Sequence, residues 1–264
     1  MKQLKEIMMA VLSVCLLAAC SSDDESIGYD EYDAEYQIKY YSRPPYANLN
    51  QGYWYKEGTK EVFYKLTPNT KAPYDLLVCP KNDRGREALE HMEKKEDGVI
   101  LNIYRQVHYF DMNFTDSTTH YFVASTKYFE SPDLYVSDNY FSTECGMREG
   151  DFCRIVPTII INLNVGADIE NIKEEYKDVM TFRRTNGLTD SRFTTYLFDC
   201  HLSNSYEVLR LADELYKRDD VNWADADKYS PIFYITVVTE PSSVTQKSYS
   251  PYVLKSEYST SSRW

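Results

Sequence analysis

The most regular pattern of apolar and polar positions lies in the second half of the chain. Residues 158–165 (TIIINLNV) form a β-branched run that predicts a strand. Asp168 then stands as the N-cap of a helix whose Ile169, Ile172, Tyr176 and Val179 share one face. Residues 180–188 predict a strand, with the turn signal Asn186-Gly187 near its end, and residues 192–202 predict the next strand. Asn204 with Glu207 makes a capping box that opens a helix over 205–219, with Val208, Leu211, Ala212 and Leu215 inward. Val221-Asn222-Trp223-Ala224 begins a last strand.

The order strand-helix-strand-strand-helix-strand is the ferredoxin-like βαββαβ arrangement. It predicts an α+β fold with a ferredoxin-like domain over 158–233, helices on one face of a four-stranded antiparallel sheet, and the other face open to solvent or a partner. A smaller β-rich α+β domain is expected to precede it over 51–157. Its elements are strands at 74–80, 99–109 and 120–129, a helix over 84–96 with Asp83 as N-cap, and a cysteine loop with one more strand in 130–157. Residues 20–50 are acidic and Tyr-rich, hold no lasting periodicity, and read as a tether. Residues 234–264 are Ser/Tyr-rich and read as a tail, with a candidate strand at 234–238. No internal repeat is visible in the sequence.

Residues 1–19 carry Lys2 and Lys5 ahead of an apolar run over 7–19. Spanning a bilayer needs about 20 apolar residues, so the segment is expected to be a signal peptide, not a transmembrane helix. It ends Leu17-Ala18-Ala19-Cys20, which resembles the lipobox of bacterial lipoproteins. That resemblance implies cleavage before Cys20 and a diacylglycerol on its sulfur, hence a membrane anchor in the outer membrane. The Ser21-Ser22-Asp23-Asp24-Glu25 that follows is similar to the tag that sends Bacteroidetes lipoproteins to the cell surface. It also suits a solvated linker.

Removing residues 1–19 takes away two lysines and one glutamate and leaves 245 residues with a formal net charge of −13. This balance excludes nucleic acid as a natural partner, because such binding neutralises phosphates with Lys and Arg. Tyrosine is unusually common, at 25 residues, and suits both strand cores and recognition surfaces. Four cysteines remain after lipidation: Cys79, Cys145, Cys153 and Cys200. An exported chain permits disulfides, and four cysteines allow three pairings. Cys145 and Cys153 flank Gly146 and Gly150 and are the first candidate pair. A metal site is not indicated, since no C-x-x-C spacing occurs and His91, His108, His120 and His201 are scattered.

Two segments carry a resemblance to a known family. One is Gly52-Tyr53-Trp54-Tyr55-Lys56-Glu57-Gly58-Thr59-Lys60. The other combines residues 194–200 (TTYLFDC), Ser203-Asn204, residues 209–216 (LRLADELY) and residues 223–227 (WADAD). Over residues 51–228 the chain resembles the N-terminal pro-region of subtilisin-like serine proteases from Bacteroidetes. The resemblance implies a protein-binding module that inhibits such a protease or helps it fold. A protease domain needs an Asp, a His and a Ser nucleophile brought together, and the signatures that would carry them are absent after residue 228.

No catalytic constellation is present elsewhere. There is no G-x-S-x-G elbow and no phosphate-binding glycine loop. Cys200 and His201 are adjacent, so on a strand they point to opposite faces and make no dyad. Asp219-Asp220 and Asp225 with Asp227 suit solvated turns better than a calcium site. Asp116-Ser117-Thr118 matches a short O-glycosylation pattern of Bacteroidetes. The sequence therefore predicts a lipid-anchored, non-enzymatic protein without cofactor. Two readings stay open: a pro-region-like module for a serine protease, and a structural or adhesive surface protein contacting host protein or glycan.

Overall fold

A computed structural model of the chain describes residues 28–57, 60–95, 98–110, 117–142, 152–187 and 194–229. The first strands are β1 (Glu31–Asp33), β2 (Ile38–Tyr41), β3 (Gln51–Glu57), β4 (Lys60–Pro68) and β5 (Tyr74–Pro80). Helix α1 (Asp83–Lys94) follows, then β6 (Ile100–Phe110), β7 (Ser117–Ser125), β8 (Tyr128–Glu130), β9 (Leu134–Ser137), β10 (Tyr140–Ser142) and β11 (Phe152–Leu163). The chain continues through α2 (Ile169–Glu175), β12 (Met180–Asn186), β13 (Thr195–Cys200), α3 (Ser205–Tyr216) and β14 (Val221–Tyr229). The fold is α+β and dominated by sheet.

The second half has the predicted element order. Its strands lie side by side as β14, β11, β13 and β12, each pair antiparallel. The first half repeats this order. There β5, α1, β6, β7 and β9 place their strands as β9, β5, β7 and β6, again all antiparallel. With the strands of each half numbered from first to last, both sheets run 4-1-3-2. One element differs. Between β7 and β9 the first half has no second helix, but the short strand β8.

What stands in place of that helix corrects the reading of residues 20–50 as a tether. β8 pairs with β2, and β2 with β1, as a three-stranded sheet. Ile38, Tyr40 and Phe129 from it are fully buried, in one core with Tyr74, Leu76 and Val78 of β5 and Leu89 and Met92 of α1. Residues 20–27 lie outside the described residues. The acidic composition misleads here because the apolar positions Ile38, Tyr40, Tyr41 and Tyr46 are few but all inward. Several of the tyrosines are likewise interior: Tyr40, Tyr74, Tyr128, Tyr135 and Tyr140 are among the largest fully buried side chains, while Tyr29 and Tyr32 are exposed.

The expected domain boundary between residues 157 and 158 falls inside β11. This strand pairs near its start with β10 and near its end with β13, while β14 runs along most of it. Its register shifts between Ile155 and Ile159, around Pro157, which has no N–H for the ladder. The bend lets one strand serve two directions. As a result β3, β4 and β10, expected in a separate domain, extend the C-terminal sheet to seven strands with β3 at its edge. Leu77, Cys79, Phe122 and Tyr135 from the other face of β5, β7 and β9 join the same core as Ile155, Phe198 and the inward side of α3. The face of the C-terminal sheet expected to be open is half covered. Thr158, Asn162 and Leu197 on it are buried, while Ile160, Asp199, Trp223 and Asp225 are intermediate.

Local differences have simple causes. Helix α1 is capped by Asn82, not Asp83, since the Asn82 side chain accepts from Gly85 N–H at 2.8 Å. The predicted strand 120–129 is two strands, turned by Thr126 and Lys127. Helix α3 stops at Tyr216, where Lys217 N–H turns back to the carbonyls of Glu214 and Leu215. Helix α2 is shorter than predicted, and Tyr176 forms its C-cap.

A candidate binding groove between the β3–β4 hairpin and α3

Helix α3 is built by two sequence signals. Asn204 Oδ1 accepts from Glu207 N–H at 3.0 Å, and the Glu207 carboxylate accepts from Ser203 N–H at 2.9 Å. The reciprocal bond reaches one residue further back than a capping box predicts, to the N–H of Ser203 and not that of the cap residue Asn204. Val208, Leu209, Leu211, Ala212 and Leu215 are buried. Their burial stabilises the helix by roughly 1.5–3 kcal/mol for each of the large side chains. The outward stripe reads Tyr206, Arg210, Asp213, Lys217, at spacings of four, three and four residues, so these side chains line up along one face.

Strand β3 lies beside this stripe. It forms a hairpin with β4, in register from Gln51–Leu66 to Glu57–Lys60. Gly52 is the close point: a methyl group there would run into the Tyr64 carbonyl and the Phe63 ring. Trp54 reaches the helix. Its indole N–H donates to Asp213 Oδ1 at 2.8 Å, and its ring stacks on Tyr216 at 6.1 Å and 15°. Asp213 Oδ2 accepts from Lys217 at 2.6 Å. At the other end, Tyr206 stacks on the buried Tyr46 at 5.4 Å and 11°. Between the hairpin and the helix stripe runs a groove of about 470 Å³ whose walls include Asn50, Trp54, Phe63, Tyr206, Arg210 and Asp213.

A buried polar cluster supports the Tyr206 end. Gln51, which also lines the groove, donates to the Tyr46 carbonyl at 2.9 Å and accepts from Tyr140 OH at 2.8 Å. Tyr140 OH also lies 2.8 Å from Ser205 Oγ, and Tyr46 shares a hydrogen bond with Tyr128. Glu130 accepts from Asn204 at 3.0 Å and Tyr41 at 3.3 Å. Burial, then the Glu207 charge, raises its pKa. Asp138 is fully buried, with the Tyr46 hydroxyl beside its carboxylate. Burial drives its pKa well above the carboxylate range, against a smaller opposing pull from the Tyr46 hydroxyl. The hydroxyls of Tyr46, Tyr128 and Tyr140 are held neutral by the same desolvation.

The residues singled out by sequence are dispersed. Cys20 and Cys145 lie outside the described residues. Cys153 is fully buried on β11, opposite Tyr140. Cys79 and Cys200 are unpaired and buried. Burial raises the Cys79 thiol above its ordinary range and pushes Cys200 up to about 12, so both are inert thiols. His201 is exposed and bonds Thr181 at 2.7 Å while Cys200 points inward, as the strand alternation requires. His120 is buried, and burial and Arg183 lower its pKa to about 4. Asp220 pairs with Arg218 at 2.8 Å and Asp225 with Lys228. Among the described residues no group of three or more His, Cys, Asp or Glu is placed to hold a metal ion. Asp116 is outside the described residues, and Ser117 opens β7.

The groove itself is not legible in the sequence. The four-three-four spacing of Tyr206, Arg210, Asp213 and Lys217 is readable in the sequence, but nothing there places β3 beside it. The structure does bring together the two segments that carry the pro-region resemblance, since Trp54 of the first lies on Asp213 and Tyr216 of the second. No family model, curated protein or solved structure matches the chain.

Proposed function

We propose that this protein is a non-catalytic binding module, held at the outer surface of the outer membrane by a lipid on Cys20, and that it contacts its partner through the groove between β3 and α3. One observation carries the reading. The groove lining offers aromatic rings and hydrogen-bonding heads but no histidine or cysteine, and its one carboxylate, Asp213, is bonded on both oxygens. A nucleophile with a base, or an acid–base pair, is what hydrolysis or proton transfer needs. The carboxylates whose pKa is raised by burial, Glu130, Asp138 and Asp225, are not among the groove walls. What remains is recognition of host protein or glycan by a preformed surface.

A second reading is favoured by the strand order. β14, β11, β13 and β12, with α2 and α3 joining them, support a ferredoxin-like unit, and the contact of residues 52–54 with 213–216 supports a core shared with protease pro-regions. In that reading the partner is a subtilisin-like serine protease docked on the C-terminal half.

The test is capture from secreted and outer-membrane fractions with residues 21–264, compared with a Trp54→Ser variant, alongside a serine-protease inhibition assay. A partner retained by the wild type and lost by the variant supports the groove. Inhibition that persists in the variant supports the pro-region reading instead. Capture that is unaffected by the substitution, with no inhibition, removes both. Metabolic labelling with palmitate checks the anchor, and label that persists in a Cys20→Ser variant would refute it.

A further inference from the structure

The groove has two features that narrow the chemistry of what it binds. The first is a pair of fixed, flat platforms. Trp54 is backed by Tyr216 and Tyr206 by Tyr46, each nearly parallel at 15° and 11°. Both rings line the groove and are only partly buried. Trp54 on β3 and Tyr206 on α3 each have a ring packed behind them, so they present stacking surfaces without a rearrangement cost. Flat aromatic faces take up rings whose C–H bonds project axially, which is how a pyranose packs on an indole or phenol.

The second feature is charge. The walls carry Arg210, Lys217 and Asp213, and the Lys217–Asp213 pair is internally compensated. Arg210 is exposed and, among the described residues, makes no hydrogen bond or ion pair, and Asn50, also on the walls, is equally unengaged among them. In a chain with a formal net charge of −12, the one uncompensated charge on these walls is thus positive. A guanidinium beside stacking rings is matched by an oxyanion, a carboxylate or a sulfate, on a ring ligand.

Resting on the groove reading above, we propose that the ligand is an acidic oligosaccharide, one whose sugar rings stack on Trp54 and Tyr206 while a carboxylate or sulfate is held by Arg210. A neutral glycan leaves Arg210 without a counter-charge. Nucleic acid brings more phosphates than one net positive charge can neutralise. A peptide can also pack proline or aromatic side chains on such rings and is the main rival outcome.

The experiment is a titration of residues 21–264, followed by tryptophan fluorescence and calorimetry. The probes are an oligogalacturonate for the carboxylate, a heparin-derived hexasaccharide for the sulfate, and maltohexaose as the neutral control. Binding of either anionic probe is expected, weakening with salt, with maltohexaose weaker by roughly tenfold. Arg210→Gln, at an exposed position that leaves the fold intact, is expected to lose roughly tenfold for the anionic probe and nothing for the neutral one. Equal binding of neutral and anionic probes, or no effect of Arg210→Gln, overturns the proposal. If no saccharide binds but a protein is captured in a Trp54-dependent way, the ligand class is wrong and the groove reading stands. If both fail, the groove reading falls with it.

Discussion

Asp138 gives the most direct test of the buried cluster beneath the groove. Its carboxyl is fully buried, with the Tyr46 hydroxyl beside it. Desolvation raises its pKa in the folded state well above the ordinary value, and the nearby Glu130 charge pushes the same way. The folded chain therefore holds this proton more tightly than the unfolded chain does. The stability it contributes is full below the unfolded pKa, near 3.9, and is lost as pH rises from there toward the folded pKa. Over that window one whole proton separates the two states, so stability falls by about 1.4 kcal/mol per pH unit from this group. Asp138→Asn keeps the shape and cannot ionise. The variant is expected to lack that slope. Asp225, also raised by burial, titrates in both proteins and drops out of the difference. Urea unfolding of wild type and variant at half-unit steps from pH 4 to pH 8 measures it. Melting temperatures should diverge in favour of the variant by about 3–6 °C per pH unit for a chain of this size. Parallel stability curves across the range would refute the argument, because they would mean that Asp138 is charged and solvated when folded.

The remaining expectations follow from packing and capping. Starting the chain at residue 51 removes Ile38, Tyr40, Tyr41 and Tyr46 from their core, and such a fragment is expected to lose cooperative thermal unfolding; a sharp transition near that of the longer chain would show that these residues are a tether after all. Asn204→Ala removes the α3 N-cap and the bond to Glu130, and is expected to cost about 1–2 kcal/mol in urea unfolding, while the outward Lys177→Ala changes stability by less than about 0.5 kcal/mol.

The two halves show how one strand order is reached by different means. The first half lacks a second helix, and the sheet β1–β2–β8 takes its place over the same core. This explains why no repeat is legible in the sequence: hydrophobic pattern records which positions are inward, not which element covers them. It also explains why the sequence does not reveal the N-terminal strands. Its strands are three and four residues long, too short for alternation to register, and they hold only because β8 lies ready to pair with them.

Local periodicity by itself determined the elements of the second half. The β-branched run of β11, the inward stripe of α3 and the Asn204 cap all follow from spacing that short-range sterics and hydrogen bonding enforce. Composition set the acidic character, and the N-terminus carries the lipobox-like pattern. Tertiary structure alone decided what lies next to what. The bend at Pro157 joins β3, β4 and β10 to the C-terminal sheet, and with that the hairpin is carried to α3. Trp54 and Asp213 are separated by 159 positions in sequence and by 2.8 Å in space. No periodicity reports such a contact, because it depends on how whole sheets pack and not on the residues flanking either partner.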